Sequence, residues 1–330
     1  MASGSKKAVG AAIAGNGFVS LIKLGAFFVT GSGAMLSEAI HSIADTMNQV
    51  LLMIGIVRST KDADADYGYG YMAERYIWAL ISAVGIFFLG CGVTIYHGIS
   101  SLLHPHAIEA PGIALGVLTV AGIIEGGVLW VAYKSVKEAA GDMDFIRYAR
   151  HFTDPSAVAV LLEDAAACIG VVIAMISIGL SHWTGNPAWD AIGSIAIGLL
   201  LGALAIWLVK RNHQLLAGPS IPADERAAIH KVLEESPIIE EITDFKTRVL
   251  GTEDYRMKAN VVFEGDVMSQ ALDPHLQDAW KKIDTYEQFK EFAHTYADQV
   301  TDLLGDRIDQ LEREIVAVCP KVKHIDIEAD

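Results

Sequence analysis

The chain has 330 residues, 52% of them hydrophobic and 20% charged, and a net charge of −15. That apolar share, spread over several apolar windows of about 20 residues, excludes an ordinary soluble domain and reads as a polytopic membrane protein. The acidity sits at one end: from Ile221 onward 13 Lys and Arg face 25 Asp and Glu, a balance of −12, which argues against nucleic acid as a partner and favours cations.

Hydropathy predicts six membrane helices. The first runs from about Ala8 to Val29, behind a short polar N-terminus without the pattern of a cleavable signal. Gly31-Ser32-Gly33 predicts a tight turn into the second, from about Ala34 to Val57. There Glu38, His41, Asp45 and Asn48 recur at i, i+3/i+4 and fall on one stripe. An ionisable group in a membrane helix costs roughly 3 kcal/mol even on the lenient insertion scale, so it persists only opposite a partner, water or an ion. His41 and Asp45, four apart, offer a ring nitrogen and a carboxylate to the same point, as a divalent transition metal requires. The competing reading is a stripe that hydrogen-bonds neighbouring helices.

The stretch Asp66–Arg75, rich in tyrosine and glycine, predicts an interfacial turn with Glu74 and Arg75 at the membrane surface. The third span follows, from about Tyr76 to Leu103. The fourth, about Gly112 to Tyr133, carries Glu125 near its middle. That residue is either a protonated carboxyl bonded to a neighbouring helix or part of a proton path. The fifth, about Ser156 to Leu180, carries Glu163 and Asp164 side by side. Adjacent residues point about 100° apart on a helix, so only one stands at the centre of a given site. The sixth runs from about Trp189 to Val209. Cys91, Cys168 and Cys319 are too scattered for a disulfide framework or a Cys-x-x-Cys site, and read as packing residues.

Lys and Arg occur before the first span (Lys6, Lys7), after the second (Arg58, Lys61), after the fourth (Lys134, Lys137, Arg147, Arg150) and after the sixth (Lys210, Arg211). The three other connections contain none. This asymmetry predicts both termini in the cytoplasm, and the protein is expected to be integral to a cell (inner) membrane. The expected domains are 1–210, a transport domain, and 211–330, a cytoplasmic one. In the second, Ala223–Glu235 reads as a helix, Ile242–Leu250 and Tyr255–Glu264 as strands, and Val322–Glu328 as a last strand. Thr285–Val318 reads as one long helix or two, and Gly265–Asp284 shows no clear pattern. Together they describe a small α+β layer with one face of its sheet covered.

These residues carry a family resemblance. Leu21-Ile22-Lys23 with Thr30-Gly31-Ser32, the run from Ser37 to Asp45, Tyr67-Gly68-Tyr69-Gly70 with Ala73-Glu74, Asp164 with Ile169-Gly170-Val171, and Trp189-Asp190 with Gly193-Ser194 span nearly the whole chain. The chain resembles the cation diffusion facilitator family of divalent-metal/proton antiporters. The resemblance implies an α-helical membrane protein of six helices with a C-terminal ferredoxin-like α+β cytoplasmic domain, assembled as a homodimer. It implies a metal site in which His41 and Asp45 match the second-span pair and Asp164 matches the second member of the fifth-span pair. The first member's position holds Val160, which cannot bind metal, and Glu163 is an added carboxylate. Leu161-Leu162-Glu163-Asp164 is similar to the subgroup that includes a mitochondrial zinc exporter. The expected ligands are therefore His41, Asp45 and Asp164, completed by Glu163 or by water.

A second family metal position falls at Tyr69 without imidazole, and Thr243 and Asn260 stand where metal-loaded relatives have histidine. The implied activity is secondary transport, not enzymatic catalysis: a divalent cation, zinc by the subgroup, leaves the cytoplasm in exchange for protons by alternating access, with no resident cofactor. Transport of Mn, Fe or Co on the same fold, and a non-transporting metal-sensing partner subunit, stay open. An intramembrane metalloenzyme with Glu163 as base lacks a His-Glu-x-x-His motif.

Overall fold

The computed structural model describes residues 4–140 and 155–330. Arg147 and Arg150, which contribute to the charge asymmetry above, lie outside the described residues. The chain divides into two compact units, Met1–Ala217 and Gly218–Asp330.

The first unit is helical: α1 Gly4–Thr30, α2 Gly33–Ser59, α3 Glu74–Leu103, α4 Pro111–Ala140, α5 Pro155–Thr184 and α6 Ala188–Ala217. Among the described residues, five helices, α2 to α6, are long and apolar enough to cross a membrane, and α1 is apolar over Gly15–Thr30. Large apolar side chains such as Phe28, Phe88, Ile123 and Trp130 point outward, so the chain is an integral membrane protein whose helices present hydrocarbon to lipid. Helix α2 packs against α1, α3, α5 and α6, which makes it the axis of the bundle. That position explains why its stripe is polar: Glu38, His41 and Asn48 are buried among other helices.

The turn before α2 is built from local chemistry. Gly31 adopts φ +64, the left-handed region that ends a helix, and its N–H donates to the Phe27 carbonyl at 2.8 Å. Ser32 caps α2, its Oγ accepting from the Met35 N–H at 3.2 Å. Asp190, at the start of α6, accepts from Ser32 Oγ at 2.6 Å, from the Gly33 N–H at 2.5 Å and from the Ala34 N–H at 3.3 Å. A carboxylate thus satisfies orphan donors at the positive end of α2.

Helix α3 is not uniform: Ile86–Val93 is π-helical, a distortion that hydropathy did not announce. Small residues seat α3 on α6. A Cβ at Gly98 would come within 2.7 Å of Ile195 Cγ1, one at Gly198 within 2.7 Å of Ile95 Cγ1, and one at Gly202 within 2.8 Å of Cys91 Sγ. Such close approach is how membrane helices gain packing energy without a hydrophobic drive. The turn between α2 and α3 is tied by Asp64, which accepts from the Tyr71 hydroxyl at 2.7 Å and from Lys61 Nζ at 3.0 Å. Those two donors hold the Asp64 carboxyl at about 2.

The second unit holds α7 Ala223–Glu235, β1 Ile239–Val249, β2 Tyr255–Phe263, α8 Gly265–Ala271, α9 Asp273–Trp280, α10 Tyr286–Val318 and β3 Val322–Ala329. The sheet order is β1-β2-β3. Strands β1 and β2 run antiparallel, with Val249 opposite Tyr255, and β2 and β3 run parallel, with Met257 opposite Ile325. The period of two buries Tyr255, Met257, Ala259 and Val261 on one face of β2. Ile229 and Leu233 of α7 and Leu311 and Ile315 of α10 close the core over it. The long segment is a single helix, started by a capping box in which Thr285 and Gln288 serve each other. The stretch Gly265–Asp284, without pattern in the sequence, contains the short helices α8 and α9.

Candidate cation site

The stripe of α2 meets three different neighbourhoods, because its residues wrap round the axis of a crowded helix. At Glu38 it faces α1. Lys23 is fully buried, and its ammonium donates to Glu38 Oε2 at 2.9 Å, to Ser42 Oγ at 3.0 Å and to Glu125 Oε1 of α4 at 2.6 Å. Its three donors are all used, as a buried ammonium requires. Glu125 is therefore bonded to a lysine.

One turn along, His41 is 1% exposed, and its Nε2 stands 3.5 Å from Asp45 Oδ2. Neither ring nitrogen has a hydrogen-bond partner among the described residues. Asp45 lines a cavity of about 30 Å³ together with Asp164 of α5, Glu125 of α4, and Ser42 and Asn16. Asp164 Oδ2 and Glu125 Oε2 are buried and unpartnered. Orphaned polar atoms inside a protein cost about 1–3 kcal/mol each, so a concentration of them around one small space marks a place built for something polar.

At Asn48 the stripe turns to another cavity. Asn48 Nδ2 donates to Glu163 Oε2 at 2.6 Å, and Ser82 of α3 donates to Asn48 Oδ1 at 2.6 Å. This second cavity, about 40 Å³, is lined by Glu163, Asn48, Arg75 and Arg211. Glu163 and Asp164, adjacent in sequence, thus face different spaces.

Of the four residues expected to hold metal, the structure brings Asp45 and Asp164 onto one cavity, keeps His41 against Asp45, and sets Glu163 apart on Asn48. Val160 is 40% exposed. Among the described residues no three His, Cys, Asp or Glu side chains converge closely enough to hold a metal ion in this arrangement. Sequence reasoning missed Lys23 as a buried partner, although a lone lysine in an apolar helix is a signal that a counter-charge lies nearby. Arg75, expected at the membrane surface, lines the cavity of Glu163.

Residues 9–217 match the family model described as the cation efflux transmembrane domain. The chain is 39% identical to a Xenopus laevis protein named proton-coupled zinc antiporter SLC30A9, mitochondrial, over 98% of this chain and 59% of that protein. It is 39% identical to the Homo sapiens protein of the same name, over 98% of this chain and 58% of the relative. It is 36% identical to metal tolerance protein C4 of Arabidopsis thaliana, over 98% of this chain and 73% of the relative. The chain spans somewhat under three fifths of the length of the vertebrate relatives.

Proposed function

The chain belongs to the cation efflux family, a family of transporters and not of enzymes, and from that premise we propose that it exports zinc in exchange for protons by alternating access. One observation carries the reading: Asp45 of α2 and Asp164 of α5 line a single small cavity beside an imidazole whose nitrogens lack partners. His41, Asp45 and Asp164 are the ligands of the transported ion in this proposal, and Glu163 is the outlying member, either a fourth ligand or a proton carrier. Ligands must be deprotonated, so metal arriving at the site releases protons, and protons arriving from the other side release metal. The side chains stand too far apart to grip an ion together here; α2 and α5 close on it in one state of the cycle and part in another.

Zinc and protons are supported by the names of the SLC30A9 relatives. The donor set of carboxylates and one imidazole, without thiolate, also suits Mn, Fe or Co. The proposal includes α1 as a sixth span, and a transport domain followed by a cytoplasmic one, with Met1–Ala217 and Gly218–Asp330 as the compact units that support this division. It names the second unit a ferredoxin-like α+β domain, and the assembly a homodimer in a cell (inner) membrane with both termini cytoplasmic. The test is uptake by proteoliposomes containing this chain alone, across a panel of divalent metals, with internal pH recorded. Zinc flux coupled to opposite proton movement is the expected result. Absence of flux for every metal would favour the non-transporting subunit.

A further inference from the structure

The ion cluster of Lys23, Glu38 and Glu125 borders the candidate cation cavity and no step above uses it. Lys23 Nζ holds Glu125 Oε1 at 2.6 Å, while Glu125 Oε2 is buried without a partner and the residue lines the cavity with Asp45 and Asp164. Glu125 therefore has one oxygen on an ammonium and a second left over at the same space as two other carboxylates. Asp164 Oδ2 and both nitrogens of the fully buried His41 are likewise unpartnered beside it. A cavity of about 30 Å³ accommodates a small ion or a single water. Carboxylate oxygens arriving from three helices, α2, α4 and α5, make a hard-donor environment for a divalent cation.

Glu38 is the fixed end of the cluster. It is fully buried, and a Cβ on Gly170 of α5 would overlap its Oε1, so glycine is what gives it room. Glu125 is the end that touches the cavity. Glu38 and Glu125 share the one ammonium of Lys23, and Glu125 shares the cavity with Asp45 and Asp164, so carboxylates outnumber the lysine and a divalent ion would offset the excess.

We propose that Glu125 is a further member of the cation site and that Lys23 is a tethered cation competing with the transported metal for its carboxylate. The proposal rests on the reading of the chain as a metal transporter. Metal binding draws Glu125 toward the cavity; metal release returns it to Lys23, which fills the role of counter-ion and lowers the cost of the unloaded state. Lys23 acts through Glu125 and does not touch the ion.

The experiment is calorimetric titration of the 330-residue chain in detergent with zinc chloride at fixed pH, with folding checked by thermal melting. Glu125→Gln weakens zinc binding by about tenfold or more, and Lys23→Met, which removes the competitor, tightens it by about tenfold. In the Glu125→Gln background the effect of Lys23→Met falls below about threefold, because the carboxylate for which it competes is gone. If Lys23→Met does not fold, Lys23→Met with Glu38→Gln removes the fixed ion pair together and carries the same expectation. A purely structural lysine would change affinity equally in both backgrounds, and that result overturns the proposal. Wild-type affinity in Glu125→Gln, alongside loss of binding in His41→Ala, overturns it while leaving the transport reading intact. Failure of the wild-type protein to bind zinc removes both.

Discussion

At the scale of single residues, the pair Glu163–Asp164 separates what the sequence joined. Side chains about 100° apart on a helix diverge, and the structure gives Asp164 to the cavity of Asp45 and Glu163 to Asn48. Asp164→Asn keeps the shape and removes a charge that offsets the desolvation of the ion, so zinc binding falls by about a hundredfold or more. His41→Ala and Asp45→Ala abolish zinc-driven proton movement in proteoliposomes while the protein stays folded; near-normal transport by either would remove the α2 site. Glu163→Gln is the informative contrast. With its carboxylate bonded to Asn48 in a separate space, zinc affinity changes by less than about threefold, since a lost distant charge is partly screened, while the pH dependence of transport flattens. A strong loss of affinity would instead make Glu163 a ligand. The His41–Asp45 spacing was legible because i, i+4 geometry is local. Lys23 with Glu125 was not, because the bond spans 102 positions and only the fold reveals which helices adjoin.

At the scale of elements, the entrance to α2 depends on α6. Asp190 serves three donors of the Ser32–Ala34 turn across 158, 157 and 156 positions, respectively, and no local pattern predicts such a contact. The sequence showed Trp189-Asp190 only as part of a resemblance. Asp190→Ala leaves backbone donors buried and the cap unbraced, costing about 2–4 kcal/mol, with a smaller loss for Asp190→Asn. Thermal unfolding of the solubilised protein checks the order; equal stability of all three would mean that the turn is held by other contacts. The α3–α6 seam makes a second demand. Gly98→Leu forces a branched side chain against Ile195 and the Ala191 carbonyl, and overpacking of this kind costs about 1–3 kcal/mol. The helices themselves were legible from hydropathy. The π-helical segment Ile86–Val93 was not, since it is a departure in hydrogen bonding within an evenly apolar run.

At the scale of the molecule, the second unit is the part whose independence can be tested directly. Its main elements were legible from period: α7 matches the expected Ala223–Glu235, and the alternation of β2 fixed which face is buried. Helices α8 and α9 escaped because seven and eight residues are too short to display a helical period. The unit has its own core, in which Ile229, Leu233, Met257 and Ile315 are fully buried. Gly218–Asp330 expressed alone is therefore expected to fold cooperatively, and Leu233→Ala to destabilise it by about 2–5 kcal/mol. The unit carries its own reporter. Cys319 is its single cysteine and is 4% exposed. Its thiol donates to Glu225 Oε2 at 3.6 Å, and burial, then Glu225, pushes it above the usual thiol range. Alkylation should be slow in the folded unit and fast after unfolding, because only the thiolate reacts and only an accessible one is reached. The labelling rate should rise at the same denaturant concentration at which circular dichroism is lost, and that midpoint should fall in Leu233→Ala. A chelator added throughout should shift neither midpoint nor oligomeric state, since Thr243 and Asn260 offer no imidazole. Rapid labelling without denaturant, or dissociation on chelation, would mean that this unit owes its fold or its self-association to the membrane helices or to a bound metal.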